Sequence, residues 1–423
     1  MRRTCRICPR VAGIARPKSR LNKAHLATSA VRLSRGDKLM ESLSSKQISM
    51  IIEAAGAAPS IHNTQPWHFS ARPEGEIELH GQINRALWVS DPQARALYQS
   101  CGAALVNVRL GIRMTGHDPV VELLPHPENP ITALAIIRAE PGESPTVTER
   151  RLHDAIWRRR TNRGPFSERA VPESVQIDLR RAAHQEHATL RWLERHEAAA
   201  VLAQAAMAGR ALATDTEHEG ELRRWIGTGS GQDGIPAGAL PARPDSRPAP
   251  VRDEDFLAAI GDNEGPVATY ESSPQLAVLT TESDEPEDWL RAGQALQLVL
   301  LTATMNGIAA SFLCQSIELM EMREDAAPPW PLPKNLQMII RFGYGSPTAA
   351  TPRRPVSEVL RQPASRASAA PCSSLRHAAG RASVRTAGWP GAAAHNALET
   401  AGGLGPAMSG PMALAASRPS PEI

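Results

Sequence analysis

The stretch GAALVNVRLGIRMTG, residues 102–116, returns 191 positions later as GQALQLVLLTATMNG, residues 293–307. Gly102, Leu105, Leu110 and Gly116 recur as Gly293, Leu296, Leu301 and Gly307, and self-similarity at a fixed offset reports architecture ahead of any motif. A second offset, 125, superposes Ala57, Ala58, Thr64 and Trp67 on Ala182, Ala183, Thr189 and Trp192. The difference, 191 less 125, predicts a 66-residue insertion in the second copy between Trp192 and Gly293. Trp225, the glycine-rich run 227–234 and the prolines from Pro236 to Pro250 supply loop and hinge chemistry there. An insertion of that length with apolar residues of its own reads as a lid over 195–272.

Working outward, both copies of the stretch read as long helices. The first, opened by Asp91-Pro92, runs through Leu97, Cys101, Leu105, Val108 and Ile112. The second, 288–307, is apolar on nearly every side, which predicts a buried helix whose packing neighbour is its repeat partner. The capping box Ser44-x-x-Gln47 starts a helix with Ile48, Ile51, Ile52 and Ala55 on one face, and a loop follows at 59–66. Strands are expected over 67–70, 76–80, 120–124 and 131–138. The capping box Thr146-x-x-Glu149 opens another helix through Leu152 and Ile156 into the run 159–163. Short, mostly antiparallel strands beside long helices predict an α+β protein of two similar halves, 39–145 and 146–362, packed through paired central helices.

The 423 residues allow two or three domains, and 42% apolar with 22% charged residues excludes a chain disordered throughout. No apolar run is long enough to span a bilayer. The net charge of +3 is misleading, because its basic excess lies at the ends. Residues 1–36 carry ten Lys or Arg and no acid, and 365–423 carry five Arg against two Glu, which leaves −10 for 37–364. An acidic body with 4% aromatics lacks the stacking platforms of single-strand binders, so no nucleic-acid partner is expected. The minor reading is that the basic arm tethers nucleic acid. Residues 1–38 and the Ala/Ser/Gly/Pro-rich 363–423 are expected to be disordered. Five scattered cysteines, Cys5, Cys8, Cys101, Cys314 and Cys372, argue against a disulfide framework and for the cytoplasm. Cys5 and Cys8 form a C-x-x-C pair without a second pair at zinc-ribbon distance, and no metal is expected. Zinc-protease, nucleophile-elbow and P-loop motifs do not occur, and the glycines at 227, 229, 231 and 234 follow no predicted strand.

Residues 54–69, AAGAAPSIHNTQPWHF, resemble the flavin-contacting segment of the nitroreductase superfamily. Arg159-Arg160-Thr161-Asn162-Arg163-x-x-Phe166, Asp233-Gly234-Ile235-Pro236, the run 288–296 and Arg353-Arg354-Pro355-Val356 narrow the likeness to the single-chain, internally duplicated Acg-like nitroreductases over about 40–362. The resemblance implies the nitroreductase-like fold, FMN as cofactor, NADH or NADPH as reductant, and a small-molecule acceptor such as a nitroaromatic or quinone. It implies a monomer that works as a fused pseudo-dimer. In homodimeric relatives one subunit supplies the Pro-Ser-x-x-Asn loop and the other the arginine segment. Here His184, Gln185, Ala188 and Leu190 are aligned with Pro59, Ser60, Asn63 and Gln65, and Ser34-Arg35-Gly36-Asp37-Lys38 with 159–163, so one composite site per chain is expected.

A dianionic phosphate asks for a guanidinium fork, here Arg159 with Arg353 or Arg354, beside Arg160. Thr161, Ser60 and Asn63 offer hydroxyl and amide partners, with Pro59, His62 and Gln65 in the same loop. By resemblance Arg163 faces the pyrimidine edge, where positive charge favours reduced flavin. Ser316-Ile317-Glu318-Leu319 is similar to the family's Pro-Ile-Glu-Gly turn, whose Glu backbone N–H points at flavin N5, and departs from it at Ser316 and Leu319. Taken singly these residues have plainer roles. Arg158 to Arg160 can be a solvated helix end, Gln65 and Trp67 turn and packing residues, and His62 a hydrogen-bonding loop residue with no part in acid–base chemistry. The competing functional reading is a lidded flavin-storage protein without turnover.

Overall fold

Helix α1 (Ser45–Gly56) begins at the Ser44/Gln47 capping box and buries Ile51, Ile52, Ala54 and Ala55. In the computed structural model the described residues are 43–72, 75–126, 133–227, 231–245, 267–318 and 335–361. The expected extension 1–38, the tail 363–423, Cys5, Cys8, Cys372 and Leu319 lie outside them, as does the segment 34–38.

After α1 come β1 (Trp67–Ala71), β2 (Glu76–Gly81), α2 (Arg95–Met114), β3 (His117–Leu123) and β4 (Ala135–Pro141). The same succession then repeats as α4 (Glu173–Gln185), β5 (Thr189–Trp192), β8 (Gln275–Thr280), α7 (Pro286–Met305), β9 (Ala309–Phe312) and β10 (Leu336–Gly343). With β11 (Leu360–Arg361) the first sheet has the order β11-β1-β2-β4-β3, and the second has β5-β8-β10-β9, so both contain one antiparallel pattern. β11 joins β1 in parallel, which ties the end of the described chain to the first half. Ahead of α4 lies α3 (Val147–Ile156), whose Glu149 accepts from Arg113 Nε at 2.7 Å. The fold is α+β, and among the described residues no helix is long and apolar enough to cross a membrane.

Helices α2 and α7 are displaced by the expected 191 positions and pack on each other. A Cβ on Gly102 would overlap Leu290 O, and one on Gly293 would overlap Gln99 O, so the two contacts are reciprocal under the same offset. Only glycine lets the backbones approach so closely. Gln297 Nε2 donates to Asn107 Oδ1 (2.7 Å) and Asn107 Nδ2 to Ala54 O (2.8 Å), fixing the helix register with buried polar groups. One core surrounds Trp67, Phe69, Ile77, Leu79 and Leu105; the other surrounds Leu179, Leu279, Val299, Leu301 and Phe342.

Boundaries differ from expectation where capping or pairing decides them. α2 starts at Arg95, after Ala94 in the left-handed region, and the Asp91 carboxylate accepts from Ala96 N and Leu97 N. α7 starts at Pro286 because Glu285 and Asp288 form a capping box. The 125 offset does not describe the strands. Trp67 opens β1 opposite Gly81 and Thr189 opens β5 opposite Thr280, so equivalent positions are 122 apart and Trp192 lies at the other end of its strand. The insertion is also larger at its roots. β1 turns into β2 through 72–75, whereas β5 reaches β8 through 193–274, a segment with α5 (Arg195–Leu212), α6 (Thr216–Leu222), β6 (Arg243–Pro244) and β7 (Val267–Ala268). α5 covers the outer face of the second sheet with Val201 and Leu202 against Leu276, Val278 and Ile339, which is why β8 is buried on both faces.

Candidate functional site

Between α1 and β1 the chain spends ten residues, 57–66, while the equivalent connection from α4 to β5 has three, 186–188. This corrects the expected substitution of one loop by another. His184 and Gln185 belong to α4 and Leu190 to β5, so the second copy is shortened there and holds no counterpart of Pro59, Ser60, Asn63 and Gln65.

The long loop is strained and heavily tied. His62, Asn63 and Gln65 have φ of 44°, 57° and 48°, a costly region for residues other than glycine. Gln65 N donates to Ser60 Oγ (2.9 Å). The buried Gln65 amide accepts from Arg354 N (2.8 Å) and donates to Gln232 O (2.9 Å). Asn63 Nδ2 donates to Gly234 O and Pro352 O, and its Oδ1 accepts from Arg353 Nη1 at 2.8 Å. The Asn63 and Gln65 amides, expected to face a ligand, are spent on the chain itself.

From the second half, α3 runs into Arg159, which is only 4% exposed. Arg159 Nε and Nη1 and Arg353 Nε are buried without a hydrogen-bond partner. Burial, then the charges of Arg353 and Arg160, pulls the Arg159 pKa down to about 9; burial, then Arg160, pulls Arg353 down to about 10. Among the described residues no ion pair neutralises Arg159, Arg160 or Arg353. Arg160 Nη1 donates to Trp157 O and Arg159 O, so the unmet donors are those of Arg159 and the Nε of Arg353, and an anion could supply both the missing charge and the missing acceptors. Arg354 is engaged elsewhere: its Nη1 donates to Gln82 Oε1 (2.8 Å) and its Nε faces Glu358 at 3.4 Å.

Two residues beyond Arg159, Thr161 forms a bridge to Ala310 and, with Arg163, joins the wall of a cavity of about 1020 Å³, open mouth included. Pro59, Ser60, Ile61 and His62 line it from the first half, and Phe312, Cys314, Gln315, Ile317 and Met338 from the second. Of the expected residues, Pro59, Ser60, His62, Thr161 and Arg163 reach the cavity, while Asn63, Gln65 and Arg354 form its scaffold. Residues 316 and 318 lie in the short helix α8 (Gln315–Glu318), whose Gln315 and Ile317 face the cavity. Burial, then Arg163 and His218, pushes the His62 pKa down to about 3, so its ring is neutral at physiological pH.

Sequence reasoning missed the wall that α2 contributes. Asp91, Arg95 and Gln99 all line the cavity, and Gln99 Nε2 donates to Gln337 Oε1 at 3.0 Å. Arg95 pairs with Asp284, which also accepts from Trp289 Nε1 (2.7 Å). The available signal was polar residues at i and i+4, Arg95 and Gln99, in an otherwise apolar helix. The insertion crosses to the first half beside this wall. Glu221 accepts from Ser90 N (2.9 Å) and Ser90 Oγ (2.8 Å), His218 Nδ1 lies 3.1 Å from Ser90 Oγ, and Asp233 pairs with Arg85 at 2.7 Å.

No family model matches the chain. The chain is 30% identical to the Mycobacterium tuberculosis protein named "Putative NAD(P)H nitroreductase acg", over 74% of this chain and 95% of that one. It is 31% identical to a second protein of that organism, "Putative NAD(P)H nitroreductase Rv3131", over 75% and 91%. Among solved structures, one described as "a putative nitroreductase" from Anabaena variabilis aligns over 71% of this chain and 88% of its own at 10% identity and a TM-score of 0.41. A nitroreductase with bound FMN from Bacteroides fragilis aligns over 48% and 92% at 14% identity and a TM-score of 0.30. By its likeness to relatives matched over nearly their whole length, this chain belongs to the Acg-type NAD(P)H nitroreductase family.

Proposed function

We propose that the chain is an FMN-dependent NAD(P)H oxidoreductase with one composite site, acting as a monomer in the cytoplasm on small acceptors such as nitroaromatics or quinones. The observation that carries this reading is the buried, unneutralised Arg159 set against Arg353 and the half-buried Arg160, two residues before the cavity-lining Thr161. Arg159 and Arg353 would grip the phosphate, and Asn63 holds Arg353 by its Nη1 so that the fork stays aimed. Thr161 and Ser60 would offer hydroxyls to the ribityl chain, and Arg163 would place positive charge at the pyrimidine edge. The neutral His62 ring fills the wall without adding a second charge. When bound, FMN supplies hydride exchange at N5 between the nicotinamide and the acceptor. The backbone of α8 at 316–318 is the segment that would face N5.

The storage reading is favoured by one specific observation. Gln232 O, Gly234 O, Asp233 and Glu221 of the insertion all bind the first half around the loop, so the insertion is fastened as a cover. An absorption spectrum of the purified protein, before and after anaerobic NADPH and NADH, tests both readings. A flavin spectrum that bleaches supports the reductase, and one that persists supports storage. Protein that remains colourless after incubation with excess FMN refutes both.

A further inference from the structure

Arg341 of β10 is buried with 1% of its side chain exposed and pairs at 2.8 Å with Glu271, whose side chain is 3% exposed. A buried pair of this kind is replaceable by hydrophobic residues with little loss of stability, so stability alone does not account for it. Its hydrogen bonds point elsewhere. Arg341 Nη2 donates to Gly164 O (2.7 Å) and Asn162 O (3.3 Å), and the guanidinium stacks on Phe166 with 3.8 Å to the ring centre. Glu271 Oε2 accepts from Phe166 N at 3.0 Å. The Tyr270 hydroxyl lies 3.1 Å from Arg163 O and 2.9 Å from Ala242 O, a carbonyl of the insertion. Three successive carbonyls, 162, 163 and 164, are therefore held by two side chains around the residue that carries Arg163 into the cavity.

Tyr270 and Glu271 belong to the return limb of the insertion, just before β8. Arg163 Nη1 itself donates to Ala239 O at 3.3 Å. We infer that Arg341, Glu271 and Tyr270 form a clamp that positions Arg163 and couples it to the 193–274 insertion, so that displacement of the insertion alters the charge held at the flavin. The inference rests on the reading of Arg163 as a flavin contact. Moving the return limb draws Glu271 away from Arg341 and Phe166 N and Tyr270 away from Arg163 O, which leaves a buried charge and releases the backbone at 163 and 166.

The test uses the full chain with Tyr270→Phe, Arg341→Lys and Glu271→Gln. Tyr270→Phe is nearly isosteric and serves as the variant most certain to fold. Oxidised FMN affinity is measured by fluorescence quenching, and the midpoint potential of bound against free FMN gives the affinity ratio of reduced to oxidised flavin. Each lost hydrogen bond is expected to weaken reduced FMN ~5-fold more than oxidised FMN. FMN should slow tryptic cleavage within 193–274 in the wild type and do so much less in Glu271→Gln. A wild-type ratio and wild-type protection in the variants overturn the coupling, as does a lower Tm with an unchanged ratio, which marks a plain core ion pair. Absence of FMN binding by the wild type instead removes the flavin reading, and this inference with it.

Discussion

Replacing Arg159 by methionine should stabilise the FMN-free protein and weaken the FMN-bound one. Arg159 is 4% exposed with Nε and Nη1 unpartnered. Its pKa is pulled from 12.5 to about 9 by burial, then by Arg353 and Arg160. A guanidinium keeps its proton in a protein, so the pull is felt as the cost of holding the charge, at most ~5 kcal/mol at about 1.4 kcal/mol per pKa unit. Methionine keeps much of the length and removes the charge. Local relaxation recovers part of that cost in the wild type already, and a net gain of ~2 kcal/mol would raise the Tm by roughly 4 °C. The same change removes charge-assisted hydrogen bonds to phosphate worth ~1.5–3 kcal/mol each, so the FMN Kd should rise ~10- to 100-fold. Riboflavin, which lacks the phosphate, should bind both proteins alike. Circular-dichroism melts of FMN-stripped and FMN-saturated protein, with fluorescence titration of both flavins, decide the matter. A lower Tm for the FMN-free variant, or an FMN Kd within about twofold of wild type, refutes the reasoning.

Gly102→Ala forces a Cβ into Leu290 O at the contact of α2 with α7, and should cost ~3 kcal/mol or more, read as a large drop in urea midpoint; an unchanged midpoint removes the close-approach account. Asn63→Ala removes one of the acceptors that hold Arg353, beside Thr351, Pro352 O and Ala57 O, and releases the bond to Gly234 O, so the FMN Kd should rise ~10-fold while proteolysis of the insertion accelerates; wild-type values of both would show that Asn63 organises neither. Burial pushes the Asp91 carboxyl up to about 7, against the Ala96 and Leu97 backbone bonds that lower it. Its protonated form thus favours the folded state, with stability fully present below about 4 and lost as pH rises to about 7. Between pH 5 and pH 8 the wild type should lose ~2 kcal/mol more than Asp91→Asn in urea unfolding, and parallel losses would contradict the assignment.

Elements whose signals are local were legible without the fold. The caps at Ser44 and Thr146, the apolar face of α1 and the matched helices at offset 191 follow from spacings of three and four residues, and each took its expected place. The run from Arg159 to Arg163 was also visible as a cationic segment, because its members are neighbours in the chain. The offset of 125 failed for a physical reason. Helices and strands keep their periodicity, whereas loop length is free to change, and a shortened α4–β5 connection is invisible to residue matching that assumes equal loops.

What the chain alone determined is that two helix-and-sheet segments of like order meet through glycine-bearing helices, and that an arginine run and the loop 59–66 offer the chemistry on which the proposed ligand site rests. Tertiary structure set Arg353 beside Arg159 and turned Arg354 to Gln82; it spent the Asn63 and Gln65 amides on the chain itself; and it brought Asp91, Arg95 and Gln99 to the cavity wall. The reason is that burial and charge proximity are properties of neighbours. Arg159 and Arg353 are alike as residues in a sequence, and only long-range closure of the fold strips them of water, sets them against each other and leaves their donors unmet.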